Sequence, residues 1–396
     1  MRKNHKIFLV RPTEPNRGDI ISRYGLLKKI SSWAGPSHLI VLSSRNPSEL
    51  PVPCEVVRPG LLKDLLPRRE QINRYKRGDE IWWACGHDLQ DDSSALKIPF
   101  ILAKFIFFRI MGLRIRIIAQ GAGPLATSMG RWCTRIMLKL VDSVSFRDRE
   151  SLLLVGRIAP ESLHKMKQTV DCALFAADEY MPIRLPVSSD KPLRIGVNLR
   201  RWYHFDNHWL PYEYRVRLGM VKDIPGGTEM NELITGMALF LDRQMERQKM
   251  CVRMIPMYPP GIEPWEDDIS LLTQLKSAMS HQDRVEIVSA DLPPDQLLSV
   301  FNDLDVMIGM RLHSTIIATM QGIPSIHLAY SPKGYSYFKM INQEKLCIPV
   351  EELLNRDGWS RLQERFEETV GNLDGIGLAL RDRILHLKMN APNPGE

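Results

Sequence analysis

Val306-Met307-Ile308-Gly309-Met310-Arg311-Leu312-His313-Ser314, running through an apolar segment to Gly322-Ile323-Pro324 and then Ser325-Ile326-His327-Leu328, is the stretch whose reading decides the fold. Val306 to Ile308 reads as a strand, Ser314 to Gln321 as an apolar helix, and Ser325 to Leu328 as a second strand after a Gly/Pro stop. A strand, a helix and a strand in succession make a parallel crossover unit. Arg311 and His313 stand two residues apart at its strand-to-helix turn. An Arg there suits an anion and a His suits proton transfer, so this is the sharpest pair in the chain.

The same alternation extends outward in both directions. In the first half, strands are predicted at Lys6 to Val10, His38 to Leu42, Glu80 to Ala84, Arg114 to Ala119 and Ser143 to Phe146. Helices are predicted to start near Ile20, Ser93 and Met129. The segment Ala177 to Pro192 holds three prolines and little periodicity, and reads as a linker. A second series follows, with strands at Leu193 to Asn198, Cys251 to Pro256, Val285 to Val288 and the two already quoted. Its helices are predicted at Thr228 to Gln248, Pro264 to Ser280 and Pro294 to Asn302, and a last helical region spans Ser360 to Lys388. The expected fold is α/β, with two Rossmann-like domains facing a cleft. Residues 1–177 form the first domain, 178–192 the linker, 193–357 the second domain, and 358–396 a helical region packing back on the body. Open α/β sheets bind ligands at the carboxyl ends of their strands, which places the site in the cleft.

At 396 residues the chain exceeds one ordinary core, and 44% hydrophobic with 25% charged residues is a globular composition. The surplus of +7 favours anionic partners. Lys and Arg are spread along the chain without a basic tail, which argues against nucleic acid and leaves anionic small molecules or a membrane surface. Cys54, Cys85, Cys133, Cys172, Cys251 and Cys347 are scattered and read as reduced thiols of a cytoplasmic protein. Ile7 to Val10 is too short for a secretory segment. Residues 96–118 are the most hydrophobic stretch, broken by Lys104, Arg109, Arg114 and Arg116. They read as a buried crossover helix and, after Gly112, a core strand; the sharper reading is peripheral membrane contact through residues 96–111.

Four segments follow predicted strands. Asn16-Arg17-Gly18-Asp19 offers a tight turn and helix-opening amides, or merely a cap by Asp19. Cys85-Gly86-His87-Asp88-Leu89-Gln90-Asp91-Asp92 reads as a ligand loop, with the acids as alternative helix caps and no metal expected. Gln120-Gly121-Ala122-Gly123-Pro124 is a Gly-rich turn that allows close backbone approach, and Arg147 in Ser145 to Ser151 is either an anion fork or a helix-start ion pair. The fourth is the Arg311 to Ser314 turn.

In this order, the segments resemble the polysaccharide pyruvyl transferase family, whose members look like Asn-x-Gly-Asp, Leu-Gln-Asp-x-Thr/Ser-Ser, Gly-Gln-Gly-x-Gly-Pro, Ser-x-Arg-Asp-x-x-Ser and Arg-Leu-His before Gly-Ile/Val-Pro. Here these are Asn16 to Asp19, Leu89 to Ser94, Gln120 to Pro124, Ser145 to Ser151 and Arg311 to Pro324, while Val170-Asp171-Cys172-Ala173-Leu174-Phe175 is similar to the family's Asp-x-x-Phe strand end. The family's Gly-Gly-Gly turn stands here as Cys85-Gly86-His87. The resemblance implies a GT-B-like fold and transfer of a pyruvyl unit from phosphoenolpyruvate, the co-substrate, onto two hydroxyls of a sugar acceptor, in a surface polysaccharide or its lipid-linked precursor. It requires neither cofactor nor metal and specifies no oligomeric state. It implies Arg311, Leu312 and His313 at the donor, with Arg200 as a second anion ligand and Arg201 as its rival. Asn16, Gly18, Gln90, Gln120, Gly121 and Arg147 are the other expected ligand-binding positions. The acceptor's base is left among Asp19, Asp88 and His87, and Arg201-Trp202-Tyr203-His204-Phe205 is a candidate sugar-stacking run. Two other readings compete: a GT-B glycosyltransferase using a nucleotide sugar, and a non-catalytic sugar-binding subunit of polysaccharide assembly.

Overall fold

A computed structural model describes residues 5–10, 16–31, 39–42, 50–52, 54–57, 72–92, 94–177, 191–201, 210, 215–216, 218–221, 227–260 and 266–394. Most of the linker and the Trp202 to Phe205 run lie outside the described residues.

Two fully parallel sheets carry the fold. The first orders its strands β3-β2-β1-β4-β5-β6-β7, where β1 is Ile7–Leu9, β2 Leu39–Leu42, β3 Glu55–Val57, β4 Glu80–Leu89, β5 Arg114–Ala122, β6 Ser143–Phe146 and β7 Met166–Gln168. The second orders them β10-β9-β8-β11-β12-β13: β8 is Leu193–Asn198, β9 Met250–Met254, β10 Val285–Ile287, β11 Val306–Gly309, β12 Ser325–Ala329 and β13 Cys347–Pro349. Both orders reverse direction at the first strand, as doubly wound Rossmann-like sheets do. Strands covered by helices on both faces lose the polar alternation of one-sided sheets. Accordingly all of Ile7–Leu9 and Val306–Gly309 is buried.

The reversal assigns the helices to faces. The helix Arg17–Ser31 leads from β1 towards β2, whereas helices Lys97–Ile110, Ser128–Leu140 and Arg149–Ile158 lead the other way along the sheet. Right-handed crossovers therefore put them on opposite faces. Two cores follow. One packs Phe105, Met137, Leu138 and Phe146 beneath the Lys97–Ile110 and Ser128–Leu140 helices. The other joins Ile21, Leu26, Leu27 and Ile30 to Leu297 and Phe301 of the helix Pro294–Asn302 and Ile316 and Ile317 of the helix Leu312–Thr319 in the second domain, all almost fully enclosed. Each such side chain contributes about 1.5–3 kcal/mol. The Arg17 amide donates to the Met257 carbonyl at 3.1 Å, and Tyr24 donates to Asp295, tying the first helix to the second domain.

Two Gly-rich turns expected after Ala84 and Ala119 are instead irregular extensions of the strands. The ladder continues through Gly86 opposite Gln120 and Leu89 opposite Ala122, with a register shift that absorbs the extra residues. Cys85 takes φ 62° and Gly86 φ 107° to do so. The helix expected near Ser93 begins at Lys97, and the last helical region is two helices, Arg356–Val370 and Leu373–Asn390. The second returns to the first domain, where Lys388 donates to the Ala177 carbonyl at 3.0 Å.

Candidate active site between the two sheets

The strand ends of both sheets meet around a cavity of about 220 Å³. Asn16, Asp19, His87, Asp88, Gln90 and Arg147 reach it from the first domain, and Arg200, Arg311, Leu312 and His313 from the second. Lys97, Tyr330 and Lys333 complete a strongly basic wall. A larger chamber of about 690 Å³ adjoins it, sharing His87, Gln90, Arg200, Tyr330 and Lys333.

On the second domain, Asn198 at the end of β8 fixes the turn after β11. Its side chain accepts from the Arg311 amide at 2.9 Å and donates to the Ile255 carbonyl at 2.9 Å. The helix Leu312–Thr319 opens here with no side-chain cap, so its positive end faces the cleft. The Arg311 fork is largely committed within the protein. Nε and Nη2 donate to Asp268 at 2.6–2.9 Å, and Nη2 also reaches Glu266 at 2.7 Å. Arg200 closes the network by donating to Glu266 and Tyr330. Burial works against the Glu266 charge, but Arg200 and Arg311 on either side outweigh it and hold its pKa below the ordinary value. Burial also acts to raise Tyr330, and Arg200, Lys333 and Arg311 overcome it, bringing the phenol down to about 8.

On the first domain, Arg147 donates from Nη1 to Asp171 at 2.8 Å. Asp171 also accepts from Ser22 at 2.8 Å and from the Ala173 amide at 3.0 Å. His313 crosses from the second domain into this group, with Nε2 3.1 Å from the Ser22 hydroxyl and 3.5 Å from Asp171. Burial opposes the Asp171 charge; His313 and Arg147 prevail and hold it well below the carboxylate range. Gly18 makes the crossing possible, because a Cβ there would lie 2.3 Å from the His313 ring. Asn16 accepts from the Gly18 amide at 2.9 Å, so Asn16, rather than Asp19, caps the first helix.

His87 stands where the two cavities meet. Nε2 lies 2.6 Å from the Gly123 carbonyl, an atom that only accepts, so Nε2 carries the proton and Nδ1 the lone pair. Burial, with Arg147 and Lys333 nearby, lowers its pKa well below the usual histidine value. Gly121 is required beside it, since a Cβ would come within 2.1 Å of Nδ1.

Four expected ligand positions are not among the cleft-lining residues: Gly18, which packs on the His313 ring, Gln120, Gly121 and Arg201. Gln120 is fully buried, donating to the Cys85 carbonyl at 2.7 Å and accepting from the Asp88 amide at 3.2 Å, so it holds the β4 irregularity rather than lining the cleft. Gly121 likewise serves His87. Arg201 is not among the cleft-lining residues, whereas Arg200 is. Asp91 is structural too, accepting from the Ala126 and Thr127 amides at 2.8 and 2.9 Å. Reasoning from sequence assigned no role to Asp171, Glu266, Asp268, Tyr330 or Lys333. Only Asp171 carried a signal, through the Asp-x-x-Phe strand end.

Two Rossmann-like sheets with a site between their strand ends define a GT-B-like protein. Solved structures share that architecture. A glycosyltransferase from Rickettsia africae is similar with a TM-score of 0.57 and 12% identity, over 98% of this chain and 97% of that one. Anabaena HepE in complex with UDP gives 0.56 and 11%, over 98% and 96%, and S. aureus MnaA with UDP gives 0.55 and 12%, over 98% and 92%. Within that fold, the polysaccharide pyruvyl transferase family matches residues 78–332, more than half of the chain, and the chain belongs to this family.

Proposed function

We propose that the protein moves a pyruvyl unit from phosphoenolpyruvate onto two hydroxyls of a sugar, forming a ketal and releasing phosphate. The carrying observation is the basic cleft at an uncapped helix start, where Arg147, Arg200, Arg311, Lys97 and Lys333 converge on one small cavity. The donor's phosphate and carboxylate need such a surface. Arg311 and Arg200 are largely held by Glu266 and Asp268, so Lys333 and the opening amides of the Leu312–Thr319 helix add to the donor's binding surface.

A proton adds to the donor's methylene carbon while the first sugar oxygen bonds to the neighbouring carbon and loses its proton. Phosphate then leaves with the C–O bonding pair, and the second hydroxyl oxygen bonds to the same carbon, its proton passing to phosphate. With Nε2 of His313 turned to Asp171, Nδ1 is the nitrogen that delivers the first proton, and Asp171 supports the imidazolium. Asp19 and Asp88, which line the same cavity, are the bases for the acceptor hydroxyl, while the neutral His87, its Nδ1 enclosed, shapes the junction with the larger chamber. The chamber takes the acceptor sugar, in polymer or lipid-linked form.

A nucleotide-sugar glycosyltransferase is the second reading, favoured by the shared fold with HepE and MnaA, whose structures hold UDP. Incubation with carbon-labelled phosphoenolpyruvate and lipid-linked oligosaccharides from the source cell separates the two. Acid-labile label on the glycan, equimolar with released phosphate, supports pyruvyl transfer. Glycan extension from a nucleotide sugar, without label, overturns it.

A further inference from the structure

The outward face of the helices Lys97–Ile110 and Ser128–Leu140 is unlike an ordinary solvated helix surface. Between Leu96 and Ile110 every exposed residue is apolar: Leu96, Ala103, Ile106 and Ile110, the last 79% exposed. The adjoining helix adds Met129 and Trp132, the latter 62% exposed. A helix bordering water normally presents charge on that side, and a contiguous exposed apolar patch marks an interaction site.

Charge points to the partner. The two helices hold Lys97, Lys104, Arg109, Arg131, Arg135 and Lys139 and not one Asp or Glu. Lys104 is buried over the Trp83 and Phe100 rings. Arg109 pairs with Asp142 and Arg135 with Glu161, both from outside these helices. Arg131 and Lys139 are exposed and make no ion pair among the described residues. A face with a Trp, aliphatic side chains and helices whose charges are all cationic matches the boundary of an anionic bilayer. A second copy of the same cationic face would repel it, and nucleic acid would leave the isoleucines unmatched. Among the described residues no helix is long and apolar enough to cross a membrane, so the geometry is one of lying on the surface.

We infer that this face docks the protein on an anionic lipid surface, with Ile106, Ile110, Met129 and Trp132 entering the interface and Arg131 and Lys139 meeting lipid headgroups. Lys97, the first residue of its helix, lines the cleft and donates to the His87 carbonyl at 3.4 Å. The docking face thus begins at the mouth of the candidate site. The inference stands apart from the proposed reaction, because docking is read without substrate.

The test is flotation of the full chain with phosphatidylcholine vesicles, with and without phosphatidylglycerol. The wild type floats with the phosphatidylglycerol vesicles and is released by salt. Arg131→Gln with Lys139→Gln lowers partitioning about tenfold or more, and Ile110→Ser with Trp132→Ser does so by a similar factor. Thermal midpoints of the variants, matching the wild type, exclude unfolding as the cause. Equal flotation on both vesicle types, no flotation, or flotation untouched by either pair overturns the inference. Concentration-dependent dimers abolished by Ile110→Ser overturn it in favour of a second copy.

Discussion

Two buried ionic groups border the same cleft, and they are built differently. In the second domain, Arg311 and Arg200 are matched by Asp268 and Glu266, so two cations meet two carboxylates inside one domain. Between the domains, Arg147, Ser22 and His313 share the single carboxylate Asp171. The first group is closed and fixes geometry. The second spans the interface and holds an ionisable ring against the substrate space. A conspicuous Arg at a strand end is thus a scaffold as much as a ligand, and the inconspicuous Asp171 decides how the neighbouring His is used.

The largest effect should come from opening the closed group. Asp268→Ala leaves Arg311 buried beside too little negative charge and costs about 3–5 kcal/mol, read as a lowered unfolding midpoint in denaturant. Removing the shared carboxylate acts on stability and chemistry together: Asp171→Asn leaves the buried Arg147 without its partner charge, which lowers the unfolding midpoint, and lowers kcat about a hundredfold or more, in single-turnover phosphate release. Gly18→Ala comes next. The added Cβ pushes His313 aside, reducing kcat about tenfold while the donor's protection of the fold against heat persists.

Protonation sharpens the contrast further. His87 has its folded pKa lowered well below the usual value, and His327, buried with Nδ1 2.9 Å from the Gly309 carbonyl, is lowered to about 3. Below the unfolded pKa of about 6.5 the unfolded chain binds the extra protons. Stability from each is therefore complete above that pH and falls by about 1.4 kcal/mol per unit as pH drops through the window. Denaturant midpoints between pH 6 and 5 should decline in the wild type and decline less steeply in His87→Gly.

The alternating architecture was legible because parallel strands are continuous apolar runs; Leu193–Asn198 and Pro294–Asn302 match their expected bounds. The edge strands Glu55–Val57, Met166–Gln168 and Cys347–Pro349 were not, since each carries a polar residue or a proline in a short segment without an apolar run around it. At the site, motif positions led to Arg311, His313 and Arg147. Glu266 and Asp268 stayed hidden because acids near a helix start look like caps, and only tertiary folding brings them to Arg311. Gln120 misled for the opposite reason: its motif position suggests ligand contact, while the irregular end of β4 consumes both of its polar atoms.

The most direct test of the cleft as a phosphoenolpyruvate site is thermal unfolding of the wild type and of Lys333→Ala with and without that ligand. At a hundred times Kd, binding to the native state alone adds about 2.7 kcal/mol. The account predicts a raised midpoint in the wild type and a much smaller rise in the variant. No rise in the wild type, or a rise given by UDP-sugars and not by phosphoenolpyruvate, would contradict it.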